Sequence, residues 1–216
     1  VAIPTFARLG VFSRSELRNT ARTVHSLLKA ARIYAATYRV DTAVVYVMDN
    51  WVDPFDPASA LPVQNPVMDS VSGQMVRVLR AAAIMYALPQ NHPHLLNEIP
   101  EFRKVNFVSM HRQDSVFQEF PGRMVIPLAR RNDAYPSGVE AIYISDSPLI
   151  NENKTDLCCS ERSLARLGLK PVKVWLDGGP YTGESGGIFA WMPAHVFTSA
   201  GQLNLDFLYD SRACPE

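Results

Sequence analysis

Residues 13–48 read SRSELRNTARTVHSLLKAARIYAATYRVDTAVVYVM, and the change of period inside this stretch decides the fold class. Up to Tyr38 the apolar residues Leu17, Ala21, Val24, Leu28, Ala31, Ala35 and Tyr38 step by four and three, one stripe along a helix. Arg14, Arg18, Arg22, Lys29 and Arg32 fall off that stripe and read as solvated. Ser13 and Glu16 have capping-box spacing, so a helix is predicted over 13–39. After Asp41 the β-branched and aromatic run Thr42–Met48 is too short for a helix and reads as a buried strand. Leu17, Ala21, Val24, Leu28 and Ala31 are expected to pack on a sheet, with the small residues allowing close approach.

Outward from this stretch, prolines at 54, 57, 62 and 66 predict a loop over 50–73. Residues 75–88 fit either period, and the strand reading is preferred. Further strands are expected near 104–110, 123–129, 139–145, 172–176, 188–192, 196–199 and 203–207, with a short helix at 156–167 ended by Gly168. Ala200-Gly201 signals a hairpin. The expected fold is therefore α+β: one long N-terminal helix packed on an antiparallel β-rich body. The chain is read as a single domain over 1–216, with the helix in 1–40, the body in 41–216 and a long insertion at about 50–170.

The chain has 216 residues, 47% hydrophobic and 19% charged, enough apolar content for a core and too little charge for a disordered tract. Its 21 basic and 21 acidic side chains cancel, which argues against a protein that coats nucleic acid by bulk charge. A tail with Asp206, Asp210 and Glu216 against Arg212 also disfavours phosphate binding. No apolar run approaches the roughly 20 residues that cross a bilayer. Val at position 1 reads as the start of a processed or excised piece.

Three cysteines are too few for a disulfide framework and lack zinc-site spacing. A bridge, if formed, would join Cys214 to Cys158 or Cys159; three free thiols are the alternative. Gly183-Glu-Ser-Gly-Gly187 fits G-x-S-x-G, yet the run after it reads as strand and only His195 follows, so Ser185 is read as part of a turn. His92 and His94 offer two metal nitrogens without a third, so no metal or cofactor is expected. Arg130-Arg131 reads as a basic turn.

Four segments together, Ala2–Phe6 (AIPTF), Arg18–Ala21, Leu27–Ala36 and Val44–Val47, resemble the start of minor pilins and of type II secretion pseudopilins of the H type. Ile188–Pro193 with Val196–Gln202 is similar to the segment that closes those domains. The resemblance implies a pilin-like head and a non-enzymatic structural subunit, made as a membrane-anchored precursor and assembled into a pilus or pseudopilus. It further implies a periplasmic or surface location, other pilin-type subunits and the inner membrane as partners, and an assembly face at Ile3, Phe6, Leu9 and Val11. The glycine followed by Phe-Thr-Leu-x-Glu that marks the family is expected before Val1. Two other readings are a secreted hydrolase with Ser185 as nucleophile and a carbohydrate- or protein-binding β module using Trp51, Trp175 and Trp191.

Overall fold

Thr42–Met48 is buried on both faces because it is one stave of a closed wall. The computed structural model describes residues 14–48, 73, 76, 78–97, 100–109, 117–123, 125–127, 129–131, 139–141, 168–175 and 189–206. In chain order these form α1 (Arg14–Tyr38), β1 (Thr42–Met48), β2 (Val78–Ala87), the single turn α2 (Pro100–Arg103) and β3 (Asn106–Ser109). Four short strands follow: β4 (Gln118–Glu119), β5 (Ile126–Pro127), β6 (Ala129–Arg131) and β7 (Val139–Ala141). The last two are β8 (Lys170–Trp175) and β9 (Phe189–Phe197).

β1 pairs antiparallel with β2 on one edge and with β9 on the other. β2 continues to β3, β3 to β8 and β8 to β9, so the ladders return to β1 and close a five-stranded barrel. A ring with an odd number of strands cannot alternate direction all the way round, so at least one ladder must be parallel. Here it is β3–β8, with Phe107 opposite Val174. Parallel neighbours need a crossover rather than a hairpin, which is why residues 110–169 separate them. The first part of that excursion lines the remaining edge of β2 through β4 and β5, and β6 pairs with β7 in a separate small sheet.

Alternation along the five strands sends Ala43, Val45, Ala83, Met85, Phe107, Val172, Val174, Ala194 and Val196 into one cluster, the barrel interior. Val44, Tyr46, Met48, Leu79, Ala82 and Phe197 belong to a second cluster that includes Ala31 and Ala35 of α1.

The expected α+β architecture, a long helix laid on an antiparallel body in the pilin manner, is thereby corrected. The sheet closes on itself, strands dominate, and one ladder is parallel. Two of the five staves, β2 and β3, come from the region expected to be an insertion at 50–170. The helix stripe is corrected as well. Ala31 and Ala35 are fully buried and Val24, Leu27 and Leu28 partly so, whereas Leu17 is 51% and Tyr38 63% exposed and Ala21 is exposed. Thr20, not Ala21, is the buried residue of the second turn. The reason is one of length and curvature. A helix of 25 residues runs about 37 Å, whereas β1, with seven residues, spans about 23 Å of a convex wall, so the ends of the helix overhang it.

β9 runs unbroken through Pro193, where two strands were expected. Pro193 faces Pro171 across the β8–β9 ladder. Each lies just past the end of the pairing its strand makes on the other side, since β9 leaves β1 after Ala194 and β8 meets β3 from Lys173. A missing N–H is therefore tolerated at both positions.

The helix gives way to β1 at Arg39, which holds φ of 53°, the left-handed conformation that usually falls to glycine after a helix. Arg39→Gly should stabilise the protein by about 0.5–1 kcal/mol, the relief of left-handed strain less the added freedom of the unfolded chain. A raised urea midpoint at unchanged slope is the readout.

Candidate functional site

A pair of titratable side chains joined across the sheet lies on the outer face of the wall, where β1 and β9 adjoin. His195 sits opposite Val44 in the ladder, and Tyr46, two residues on, projects from the same face. The Tyr46 hydroxyl and His195 Nδ1 share a hydrogen bond of 2.9 Å, and the two rings meet edge-on with centroids 5.5 Å apart. Tyr46 is wholly buried in the cluster under α1, while His195 is partly exposed. Burial holds the Tyr46 hydroxyl protonated far above the ordinary tyrosine range.

The turn before β8 closes the other side of the imidazole. Gly168 has φ of 73°, and a Cβ there would lie 3.7 Å from His195 Nε2 and 3.9 Å from the Leu203 side chain. Next to it, the nearly buried Lys170 places Nζ 3.4 Å from Asn204 Oδ1, an oxygen that also accepts the Asp206 N–H. At the same end, the Asp41 carboxylate accepts the Ser199 N–H at 2.7 Å and the Asp41 carbonyl accepts the Ala87 N–H at 2.8 Å, binding β9, α1 and β2 together. The chemistry of this region is that of a clamp, in which these hydrogen bonds hold chain to chain.

Tyr46 supplies a sign-definite prediction. Its folded pKa lies above its unfolded value near 10, so its contribution is complete below pH 10. Above pH 10 only the unfolded chain ionises, and stability falls by up to about 1.4 kcal/mol per pH unit. Tyr46→Phe should remove that slope, seen as a smaller loss of urea midpoint between pH 9 and pH 11 than in the wild type.

The residues singled out from sequence fall as follows. Ile3, Phe6, Leu9, Val11, Cys158, Cys159, Cys214, Ser185 and Trp51 lie outside the described residues, as do the helix expected at 156–167 and most of the proline-rich loop. His92 is described at a 3-10 turn and is partly buried, but the His94 side chain is not described. Among the described residues no group of three or more His, Cys, Asp or Glu could hold a metal ion, and no helix is long and apolar enough to cross a membrane. Arg130 and Arg131 lie in β6 rather than a turn, with Glu140 directly opposite Arg130. Trp175 donates its indole N–H to buried Asn106 at 2.8 Å and lies under Lys173 Nζ, 5.1 Å from the ring centroid. Its polar edge is thus engaged within the wall.

The face of α1 turned from the barrel is a second surface. Arg18, Arg22, His25, Lys29 and Arg32 are all exposed there, and beside them Ile33 is 53% exposed; towards the barrel side Tyr34 is 37% exposed, with Tyr34 and Tyr38 ring centroids 6.0 Å apart.

Comparison with protein-family models, with curated proteins and with solved structures gives no match to this chain. The Tyr46–His195 pair carries no local sequence signal, since its partners are 149 residues apart. Only the alternation of β1, which puts Tyr46 on the same face as Val44, could have marked one half of it.

Proposed function

We propose that this chain is a non-enzymatic assembly subunit, the head of a pilus or secretion-pseudopilus protein whose precursor is anchored in the inner membrane and whose head lies in the periplasm or at the cell surface. The resemblance of the N-terminal segments to minor pilins and H-type pseudopilins supports this reading, although the head itself is a closed barrel. The observation that carries it is the surface that α1 leaves uncovered. A helix seated on its barrel by only a few residues leaves Leu17 and Tyr38, at its overhanging ends, and Ile33, beside the basic stripe, more than half exposed. Scattered large apolar side chains on a surface need no partner, but several along one helix that also carries a basic stripe make a surface suited to another protein. The described polar contacts around His195 serve cohesion rather than chemistry, which favours assembly over catalysis.

Photo-crosslinking in the native cell tests the proposal. A photoreactive residue at Ile33 or Tyr38 of the full-length protein should give adducts with pilin-type subunits. Adducts confined to proteins that lack an N-terminal apolar helix would overturn it, as would stoichiometric labelling of Ser185 by a fluorophosphonate, which would favour the hydrolase reading instead.

A further inference from the structure

The zero net charge of this chain conceals a separation. Residues 1–40 carry seven Lys or Arg and one carboxylate, Glu16, whereas residues 41–216 carry 14 basic and 20 acidic side chains. The first segment is therefore at +6 and the rest at −6. Within α1 the cations are also ordered. Arg18, Arg22, His25, Lys29 and Arg32 follow one another by four, three, four and three, so they form a single stripe about 21 Å long, roughly 130° around the helix from the buried Thr20, Ala31 and Ala35. All five are exposed, and no carboxylate follows Glu16 on the helix to interrupt them. Among the described residues none of the four permanent cations is engaged by a carboxylate.

We propose that the α1 stripe docks against the acidic body of a second copy of this chain. Charge complementarity selects this occupant. The surplus of six on the first segment is matched by an equal deficit on the rest of the same chain, and a neutral protein carries no long-range repulsion against its own kind. A two-fold dimer that set stripe against stripe would bring like charges together, so the contact is between unlike surfaces. Made reciprocally about a two-fold axis it stops at the dimer, and made head to tail it propagates unless the rotation closes a ring. Nucleic acid or an anionic bilayer would also attract the stripe, but each would be opposed by the net charge of −6 on the rest of the chain. This inference rests on the assembly reading and names a partner for its surface.

Sedimentation of the purified 216-residue chain over a range of concentrations tests it, at ionic strengths of about 10 mM and about 1 M, where the screening length falls from about 30 Å to about 3 Å. The expected result is a weight-average mass that at least doubles with concentration at low salt and returns to the monomer at high salt. Replacing Arg18, Arg22, Lys29 and Arg32 together by Gln, a good helix former at exposed positions, should keep the circular dichroism spectrum and abolish the association. A wild-type protein that stays monomeric at low salt overturns the inference. So does association untouched by the Gln variant, or binding to heparin or anionic vesicles without self-association. If the cellular crosslinks appear while the purified chain stays monomeric, the assembly reading stands and only the partner is wrong.

Discussion

Phe107→Ala should lower the unfolding free energy by about 3–5 kcal/mol, the range for a buried phenylalanine whose site cannot collapse. Phe107 is 1% exposed and is the one aromatic among the buried members of its cluster, the others being Ala43, Val45, Ala83, Met85, Val172, Val174, Ala194 and Val196, with the partly buried Phe117 packed against them. In an open sandwich two sheets can close over a cavity by sliding together. A closed ring cannot shrink without breaking a ladder, and Phe107 itself is paired to Ala87 on one side and Val174 on the other. Most of the lost contact should therefore persist as cavity. Denaturant unfolding reads the effect, as does a melting temperature lower by roughly 10 °C for a chain of this size. A loss below about 1 kcal/mol would show that the ring is not the packing centre of the barrel. Phe107→Leu, which refills much of the volume, should recover a large part of the loss.

Gly201→Val should follow closely, at about 2–4 kcal/mol, from two causes acting at one position. Gly201 holds φ of 74°, where a β-branched residue is strained. A Cβ there would also stand 3.3 Å from both the Ala36 Cβ and the Arg32 carbonyl oxygen, and the second of these is helix backbone that has little room to yield. The hairpin after β9, closed by Thr198 N–H to Gln202 O and Gly201 N–H to Thr198 O, is thus pressed directly on the last turns of α1. Hydrogen exchange should quicken in 30–38 of the variant before it quickens in β1. Gly201→Ala, which adds the same Cβ at the same positive φ without branching, would isolate the share of the loss due to the branch.

The local elements were legible to the extent that their cause was local. Thr42–Met48 declared itself through β-branched density, and the Ala200-Gly201 turn through its dipeptide. Closure was not, because it depends on β1 pairing with both β2 and β9, the latter some 150 residues away, and on the parallel meeting of Asn106–Val108 with Lys173–Trp175. One clue was present. Six of the seven residues of β1, from Ala43 to Met48, are apolar on both faces, and a strand apolar on both faces fits a wall with an interior on one side and a cover on the other. The helix face went astray for a related reason. Leu17 and Tyr38 fit the period but overhang the wall, while Thr20, polar and 3% exposed, lies where the wall is. Hydrophobicity reports a preference for burial, and only the neighbouring surface decides which residues have something to be buried against. For the candidate site, Tyr46 and His195 owe their meeting to the β1–β9 register, which no spacing in the chain records.

The parallel seam between β3 and β8 also orders folding in time. β1 and β2 face each other through an antiparallel ladder of seven pairs, and β3 joins β2 soon after in sequence, so this meander can nucleate before the rest. The last seams must await the return of the chain from residues 110–169, and contacts of such separation slow the search. Substitutions in β8 and β9 should then mainly hasten unfolding, while those in β1 and β2 slow refolding. Loop-closure entropy grows only as the logarithm of length, about 0.6 kcal/mol for each doubling. Stretching the excursion should scarcely alter either rate, so evolution is freest to lengthen the chain at the one connection that an odd number of staves obliges it to keep.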